Sequence, residues 1–424
     1  MIMPTVTGSE LIKKLPQPVI TILQLAGKTA QSNGVPVYLV GGIVRDLLLE
    51  RPNTDIDIMV EGDAMAFADS LAVPLKLKPV KHSRFGTATF KLDGYRIDLA
   101  TCRSESYSRP GALPSVKPGD IRDDLLRRDL TINAMALCIN PGRLGALTDH
   151  TGGLHDLKDR LIRILHDNSF IDDATRIMRA VRYEQRLGFK LEKKTQALLL
   201  RDLEMLDTIS GDRLRRELFL WLAEERPWRI VQRAGALGVL GRLHPSLEWH
   251  PAMRMAFIKA SRLKPPASLS LLLCLLTYHH DEEPLNELLL RLNLVGTRYD
   301  LACNQTLQLR HKFDELENKD LSRSDIYYLL EGYALESIQA CLLCSTSPTV
   351  VKRLKLYLNV LRHVKPLLNG RDLANLGVKE GRIVGRMLKE LLTARLNGRT
   401  KTRKAEKLLA ARLLAGFIKP GMQP

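Results

Sequence analysis

Long apolar runs are missing from this chain, low-complexity tracts are absent, and acidic residues are outnumbered. No stretch approaches the eighteen or so uninterrupted apolar residues of a membrane-spanning helix, so no membrane association is expected. The N-terminus lacks a charged segment followed by a long apolar run, so no secretory leader is read and a cytoplasmic location is expected. There are six cysteines in 424 residues, scattered at Cys102, Cys138, Cys274, Cys303, Cys341 and Cys344. Cys341 and Cys344 form a C-x-x-C in an apolar helical stretch with no second pair, which reads as buried thiols in a reducing compartment rather than a redox or zinc site. Asp and Glu number 47 against 64 Lys and Arg, a net charge of +17. A polyanion is the partner such a surplus favours, because cations that displace condensed counterions gain affinity. The length is enough for two to four domains with a substantial core.

What is present is concentrated early. Val37-Tyr38-Leu39-Val40 reads as a buried strand, followed by Gly41-Gly42 and a helix carrying Arg45, Asp46 and Leu47-Leu48-Leu49. After an Arg51-Pro52-Asn53 turn, Asp55-Ile56-Asp57-Ile58-Met59-Val60 reads as a second strand. Side chains alternate along a strand, so Asp55 and Asp57 point to one side of the sheet. Two carboxylates held that close repel unless a cation lies between them, and a divalent ion with oxygen ligands usually also holds phosphates. A lone Asp-x-Asp is common and a lone Gly-Gly is usually a turn. Strand, glycine turn, basic helix and acidic strand in succession are much rarer, and predict a phosphate cradle beside a metal site.

Further along, residues 17–33 read as a helix, and Phe85–Leu92 with Tyr95–Thr101 as a hairpin around Asp93-Gly94. That hairpin carries Asp98. Residues 103–119, with Arg109-Pro110-Gly111, Pro114 and Pro118-Gly119, read as a loop. From about residue 155 apolar residues recur at helical spacing, over 172–187, 214–222, 228–240 and 269–276. The expected fold is α+β: a mixed or antiparallel sheet in the head (1–156), then a helical neck (157–245), body (246–345) and basic tail (346–424).

Three further motifs stand out. Arg127-Arg128-Asp129-Leu130-Thr131-Ile132-Asn133 places two arginines where they would offset charge on a triphosphate. Asp149-His150-Thr151-Gly152-Gly153-Leu154-His155-Asp156-Leu157 reads as a structural turn. In Asp172-Asp173-Ala174-Thr175-Arg176-Ile177-Met178-Arg179-Ala180-Val181-Arg182, Asp173 and Arg176 lie three apart on a helix and share a face. The plain reading is an intrahelical ion pair. The other is a base-reading edge: cytosine and adenine both present an amino donor beside a ring-nitrogen acceptor, which a carboxylate beside a guanidinium complements, whereas uracil and guanine do not.

Taken in order, Gly41-Gly42-x-Val44-Arg45-Asp46, Asp55-x-Asp57, Arg127-Arg128-Asp129-x-Thr131-x-Asn133-Ala134 and Asp173-x-x-Arg176 resemble the motifs of class II CCA-adding enzymes and bacterial poly(A) polymerases, of the polymerase-beta-like nucleotidyltransferase superfamily. The resemblance covers about residues 37–240. It implies that Asp55 and Asp57 hold two magnesium ions, with Asp98 a candidate third carboxylate. Gly42, Arg45 and Arg128 would contact the phosphates or sugar of CTP and ATP. Asp173 and Arg176 would select the base, with Arg179 and Arg182 nearby in the nucleotide site. The turn at 149–157 resembles a joint between head and neck, Gly211–Leu218 a motif that steadies the neck, and 103–119 the loop that helps switch from C to A addition. The template motif usually opens Glu-Asp; here it is Asp172-Asp173.

The implied activity is untemplated addition of CCA to the tRNA 3′ end with release of pyrophosphate, the tRNA lying along the basic body and tail. Arg395, Arg399, Lys401, Arg403, Lys404 and Lys407 form the densest basic stretch and are the candidates for that contact. The alternatives are an enzyme adding only the terminal A to tRNA ending in CC, and a poly(A) polymerase; the loop at 103–119 argues against addition of CC alone. A metal-dependent phosphohydrolase built on His279-His280-Asp281 lacks a convincing further set of ligands. A non-catalytic RNA-binding scaffold has no use for the acidic pair.

Overall fold

The computed structural model describes residues 8–82, 86–378 and 381–417. The chain divides into two compact units, residues 1–249 and 250–424.

The first unit opens with α1 (Gly8–Lys13) and α2 (Gln17–Ser32) and then builds a seven-stranded sheet. Its elements in chain order are β1 (Val37–Val40), α3 (Gly42–Leu48), β2 (Asp55–Val60), α4 (Ala64–Leu75), β3 (Val80–His82), β4 (Thr87–Leu92) and β5 (Tyr95–Thr101). A two-stranded excursion follows, β6 (Arg103–Ser106) and β7 (Ser115–Pro118), then α5 (Ile121–Leu126), β8 (Met135–Cys138) and β9 (Leu147–Asp149). The sheet order is β3-β4-β5-β2-β1-β8-β9, and β2 runs parallel to β5 while every other neighbouring pair is antiparallel. The head sheet is therefore mixed. Central β1 is buried at all four positions, as its unbroken apolar run requires, whereas Asp55 and Asp57 of β2 remain open to solvent to differing degrees. The β4–β5 turn has Asp93 and Gly94 at φ of 48° and 83°, the turn type that matches strand twist. Phe85, the expected first residue of that hairpin, lies outside the described residues.

One expectation is corrected. Residues 103–119 are not an irregular loop but a hairpin, with Arg103 opposite Pro118 and Ser106 opposite Ser115. Its Pro and Gly residues sit at the tip and at the exit, leaving two four-residue strands intact.

The remainder of the first unit is largely helical: α6 (Gly153–Asp159), a short β10 (Leu161–Ile162), α7 (Ser169–Asp172), α8 (Thr175–Leu187), β11 (Lys190–Leu191), α9 (Lys193–Arg201), α10 (Gly211–Leu222), α11 (Pro227–Ala236) and α12 (Val239–Leu243). The helix expected over 172–187 is two, because Asp173 takes extended geometry (φ −143°, ψ 101°) between α7 and α8. The 228–240 stretch also divides, at Leu237-Gly238. The turn expected over 149–157 is shorter, ending at Gly152 where α6 begins, and Asp149 holds the junction by accepting hydrogen bonds from the Thr151, Gly153 and Leu154 amides.

The second unit is helical among its described residues, from Pro251 to Phe417, around two apolar clusters, one including Leu309, Leu330, Leu354 and Leu361 and the other Leu373, Met387 and Leu391. Residues 269–276 form the expected helix, buried from Ser270 to Leu276. All six cysteines are unpaired thiols, and burial pushes Cys344 up to about 12. Among the described residues no group of three His, Cys, Asp or Glu side chains is placed to hold a metal ion, so His279-His280-Asp281 gains no ligand set. The backbone there is instead tied down by Arg310, which donates to the Tyr278 and His280 carbonyls.

Candidate active site

A cavity of about 580 Å³ in the first unit gathers most of the residues singled out in the sequence: Gly42, Arg45, Asp55, Asp57, Arg128, Asp173, Arg176 and Arg179. Strand β2 delivers the acidic pair. The Asp55 amide donates to Asn53 Oδ1 at 2.8 Å, fixing the entry of the strand, and Asn53 Nδ2 donates to Asp46 at 2.7 Å. Burial lifts the Asp57 carboxyl above its ordinary value, Arg128 opposes the lift, and Asp98 and Asp55 add to it. A hard cation is the counter-charge that relieves such crowding, and a pair of carboxylates leaves its remaining coordination for water and phosphate oxygens. The donor set thus fits magnesium.

Asp98 stands opposite Asp57 in the parallel β2–β5 register. Its carboxylate accepts from Thr89 Oγ1 at 2.6 Å and meets Arg96 Nε at 2.9 Å. The described residues therefore present a pair of carboxylates with an engaged third beside it, not a cluster of three.

Gly41 has φ of 73°, and a Cβ there would fall 2.6 Å from Arg128 Nη1. The first glycine of the pair therefore clears space for an arginine. Arg128 is aimed by Asp124, which is fully buried and receives its Nη2 at 2.8 Å and Nε at 3.2 Å. The same carboxylate takes Arg127, which also reaches Glu105 of β6 at 3.3 Å.

Arg45 lines the cavity with its donors already engaged. It is 2% exposed, with Nε and Nη2 on the two oxygens of Asp46 (2.9 and 2.8 Å) and Nη1 on Asn133 Oδ1 at 2.6 Å. Its charge is neutralised by its sequence neighbour, and it acts as a strut that places Asn133. Asn133 in turn donates to Asp129 at 3.1 Å, and Asp129 receives Arg179 Nε at 2.7 Å. Burial pushes the Asp129 carboxyl up, but Arg179 and the Asn133 amide outweigh it and hold the group at about 2. Asp46, Arg45, Asn133 and Asp129, all buried, and the partly exposed Arg179 form one chain of polar contacts from α3 to α8.

Asp173 and Arg176 line the same cavity but do not pair with each other. Asp173 Oδ1 accepts from the Thr175 amide (2.9 Å), Thr175 Oγ1 (2.6 Å) and Arg213 Nη2 (2.6 Å). Arg176 donates from Nη2 to the Arg127 carbonyl at 2.8 Å and from Nη1 to the Ser169 carbonyl at 3.4 Å. The expected intrahelical ion pair is replaced by separate anchors, because Asp173 lies before α8 and not within it. Arg182 does not itself line the cavity. It is buried, 4.0 Å from Glu217, which does line it, and 3.9 Å from Glu224, and Arg186 also lines the cavity. At about 100° per residue, Arg186 returns to within about 80° of Arg176, whereas Arg182 stands about 120° away.

Glu105, Tyr107, Tyr183 and Arg186 line the cavity without being candidates in the sequence, and Arg213, Arg216 and Glu217 join them from the Gly211–Leu218 motif. Tyr107 donates to Glu105 at 3.0 Å, and burial and that carboxylate push its hydroxyl up to about 12. Arg213 spans from Asp173 to the carbonyl of Gly111, at 3.4 Å, so the tip of the β6–β7 hairpin is docked beside the carboxylate expected to read the base. Gly111 has φ of 70°, and a Cβ there would fall 2.3 Å from Thr208 Oγ1 and 2.5 Å from its carbonyl oxygen. The Gly211–Leu218 motif held the clue to Arg213; nothing local marks its partner Gly111.

The tail candidates lie in the second unit. Arg395 is bound to buried Glu406 at 3.3 Å, and Arg403 is paired with Asp372. Arg399, Lys401, Lys404 and Lys407 are exposed.

Comparison with known proteins agrees with this geometry. Residues 37–163 match the Poly A polymerase head domain, and 188–249 the probable RNA and SrmB-binding site of polymerase A. The A-adding tRNA nucleotidyltransferase of Geobacter sulfurreducens is 35% identical over 95% of this chain, which spans 48% of that protein. The A-adding tRNA nucleotidyltransferase of Halalkalibacterium halodurans is 33% identical over 85% of this chain and 84% of its own length. The solved Thermotoga maritima CCA-adding enzyme complexed with tRNA superposes with a TM-score of 0.76 at 33% identity, covering 96% of this chain and 99% of that one. A likeness of that extent is more than a shared fold: the chain belongs to the family of class II tRNA nucleotidyltransferases and bacterial poly(A) polymerases.

Proposed function

We propose that this protein completes the CCA end of tRNA from CTP and ATP, without a nucleic-acid template, releasing pyrophosphate. The observation that carries the reading is a single cavity lined by the acidic pair Asp55 and Asp57, by Arg128, and by Asp173 and Arg176. Asp55 and Asp57 would hold magnesium, which when bound favours ionisation of the RNA 3′-hydroxyl and offsets triphosphate charge. Arg128, fixed by Asp124, adds a positive charge that needs no reorganisation when the phosphates arrive. Asp173 keeps Oδ2 out of its three hydrogen bonds, so it can accept the amino proton of cytosine or adenine. Arg176 has committed only two N–H groups, to carbonyls, and retains others for the ring nitrogen. The tRNA would be held through phosphates and shape, with Arg399, Lys401, Lys404 and Lys407 as contacts in the tail.

A second reading, addition of the terminal A alone, is favoured by one observation: the Geobacter sulfurreducens and Halalkalibacterium halodurans relatives, matched over 95% and 85% of this chain, are A-adding proteins. The test is a primer series. Purified protein receives tRNA ending at the discriminator base, at C or at CC, with CTP and ATP singly and together, and product lengths are read. Extension of all three primers to CCA supports the first reading, and extension of the CC primer alone the second. Long A tracts would point to a poly(A) polymerase, and no incorporation under magnesium would overturn the reading.

A further inference from the structure

The first unit has a second cavity, of about 420 Å³, that no step above uses. Arginines from three elements line it: Arg51 in the turn before β2, Arg186 in the last turn of α8, and Arg226 and Arg229 at the start of α11. The carboxylates beside them are Glu224 and Glu225, so four guanidinium groups face two acids. Those pairings are loose, Arg186 to Glu224 at 3.7 Å and Arg226 to Glu225 at 3.5 Å. None of the four guanidiniums donates a hydrogen bond within the described residues, though Arg229 lies over the Trp228 ring at 5.3 Å. The contrast with Arg45, Arg128 and Arg176 is informative: each of those is anchored by a carboxylate or a carbonyl. Arginines gathered with their donors unused repel one another and do nothing for the fold, but their planar forks match phosphate oxygens.

Position narrows the choice of anion. Arg186 lines both cavities, so the second adjoins the first. Arg51 stands four residues before Asp55, in the turn that feeds the acidic strand. We propose that the second cavity is a phosphodiester subsite, which holds the backbone of the RNA acceptor shortly before its 3′ end. This rests on the reading of a polynucleotide acceptor given above. Phosphate contacts carry no base information, which suits a site that must hold the strand while its terminal base changes. Pyrophosphate, the other source of the same chemistry, would form in the first cavity against Arg128 and the acidic pair.

The test uses the whole chain with Arg51→Gln, Arg226→Gln and Arg229→Gln, singly and combined. All three residues are exposed, so the variants should fold, which thermal melting verifies. Binding of fluorescent tRNA ending in CC is followed by anisotropy from about 50 to 200 mM salt. The triple variant should bind roughly tenfold more weakly, with the salt slope reduced by about 0.7 for each single-strand phosphate no longer neutralised. KM for ATP should stay within about twofold. Neutral methylphosphonate placed at each of the last few linkages should weaken wild-type binding at one or two of them and leave the triple variant unaffected. Unchanged RNA affinity, or the same linkage profile in wild type and variant, overturns the proposal. A raised inhibition constant for pyrophosphate with unchanged RNA affinity gives the cavity to pyrophosphate and also overturns it. Failure of the acceptor reading would show separately, as wild-type protein that incorporates nothing.

Discussion

Replacing Asp129 by Asn should destabilise the first unit at neutral pH by an amount that disappears in acid. Asp129 is buried and receives Arg179 Nε at 2.7 Å and the Asn133 amide at 3.1 Å. Its pKa falls from 3.8 to about 2 in the folded protein. At 1.36 kcal/mol per unit that difference is worth about 2 kcal/mol. Breaking a fully buried pair costs more, about 3–5 kcal/mol. The Arg179 side chain is 31% exposed, however, and water takes over part of the missing partner's role, so the lower figure is the expected one. Because the folded pKa is depressed, the contribution is complete above the unfolded pKa near 4 and drains away as pH falls from about 4 towards 2. All three tryptophans, Trp221, Trp228 and Trp249, lie in the first unit, so their fluorescence during urea unfolding reports on that unit. The wild-type advantage should be about 2 kcal/mol at pH 7 and shrink steadily below pH 4. A penalty below about 0.5 kcal/mol at pH 7, or one that is the same at pH 3, would refute the reasoning.

Gly111→Ala should undock the hairpin tip without unfolding the unit, because a left-handed φ and a 2.5 Å approach to the Thr208 carbonyl cannot both be kept. Faster proteolysis within residues 107–114 and a raised KM for nucleotide are expected, with little change in Tm; unchanged proteolysis would count against the docking. Asp173→Ala and Arg176→Ala should each cut discrimination against UTP and GTP by about tenfold or more while some transfer persists, since each removes one side of a two-point match. Competition assays with all four nucleotides check this, and strict C and A selection in both variants would remove the base-reading role.

The head was legible because its signals are local. The Asp-Ile-Asp-Ile alternation marks the start of β2, an unbroken apolar run marks β1, and Asp93-Gly94 marks a two-residue turn, each set by chemistry within a few residues. The hairpin at 103–118 was not, because breakers dominate its composition although they occupy only its tip and end. Asp173 was read into a helix because the apolar spacing runs on across it. What ends the helix is its own carboxylate bonding to Thr175, one of the local side-chain contacts that compete with helix formation. The acidic pair, Arg128, Asp173 and Arg176 could be named in advance. Asp124 lies only four residues before Arg128, at helical spacing, whereas the pairing of Arg213 with Asp173 spans 40 residues and only the fold brings it about.

The central claim is that Asp55 and Asp57 jointly hold a divalent cation, and calorimetric titration with Mn2+ in the presence of a non-hydrolysable ATP analogue measures this directly. Wild-type protein should bind the ion, and Asp55→Asn and Asp57→Asn should each weaken binding by about a hundredfold while tRNA affinity is retained. Equal manganese affinity in all three proteins would contradict the account.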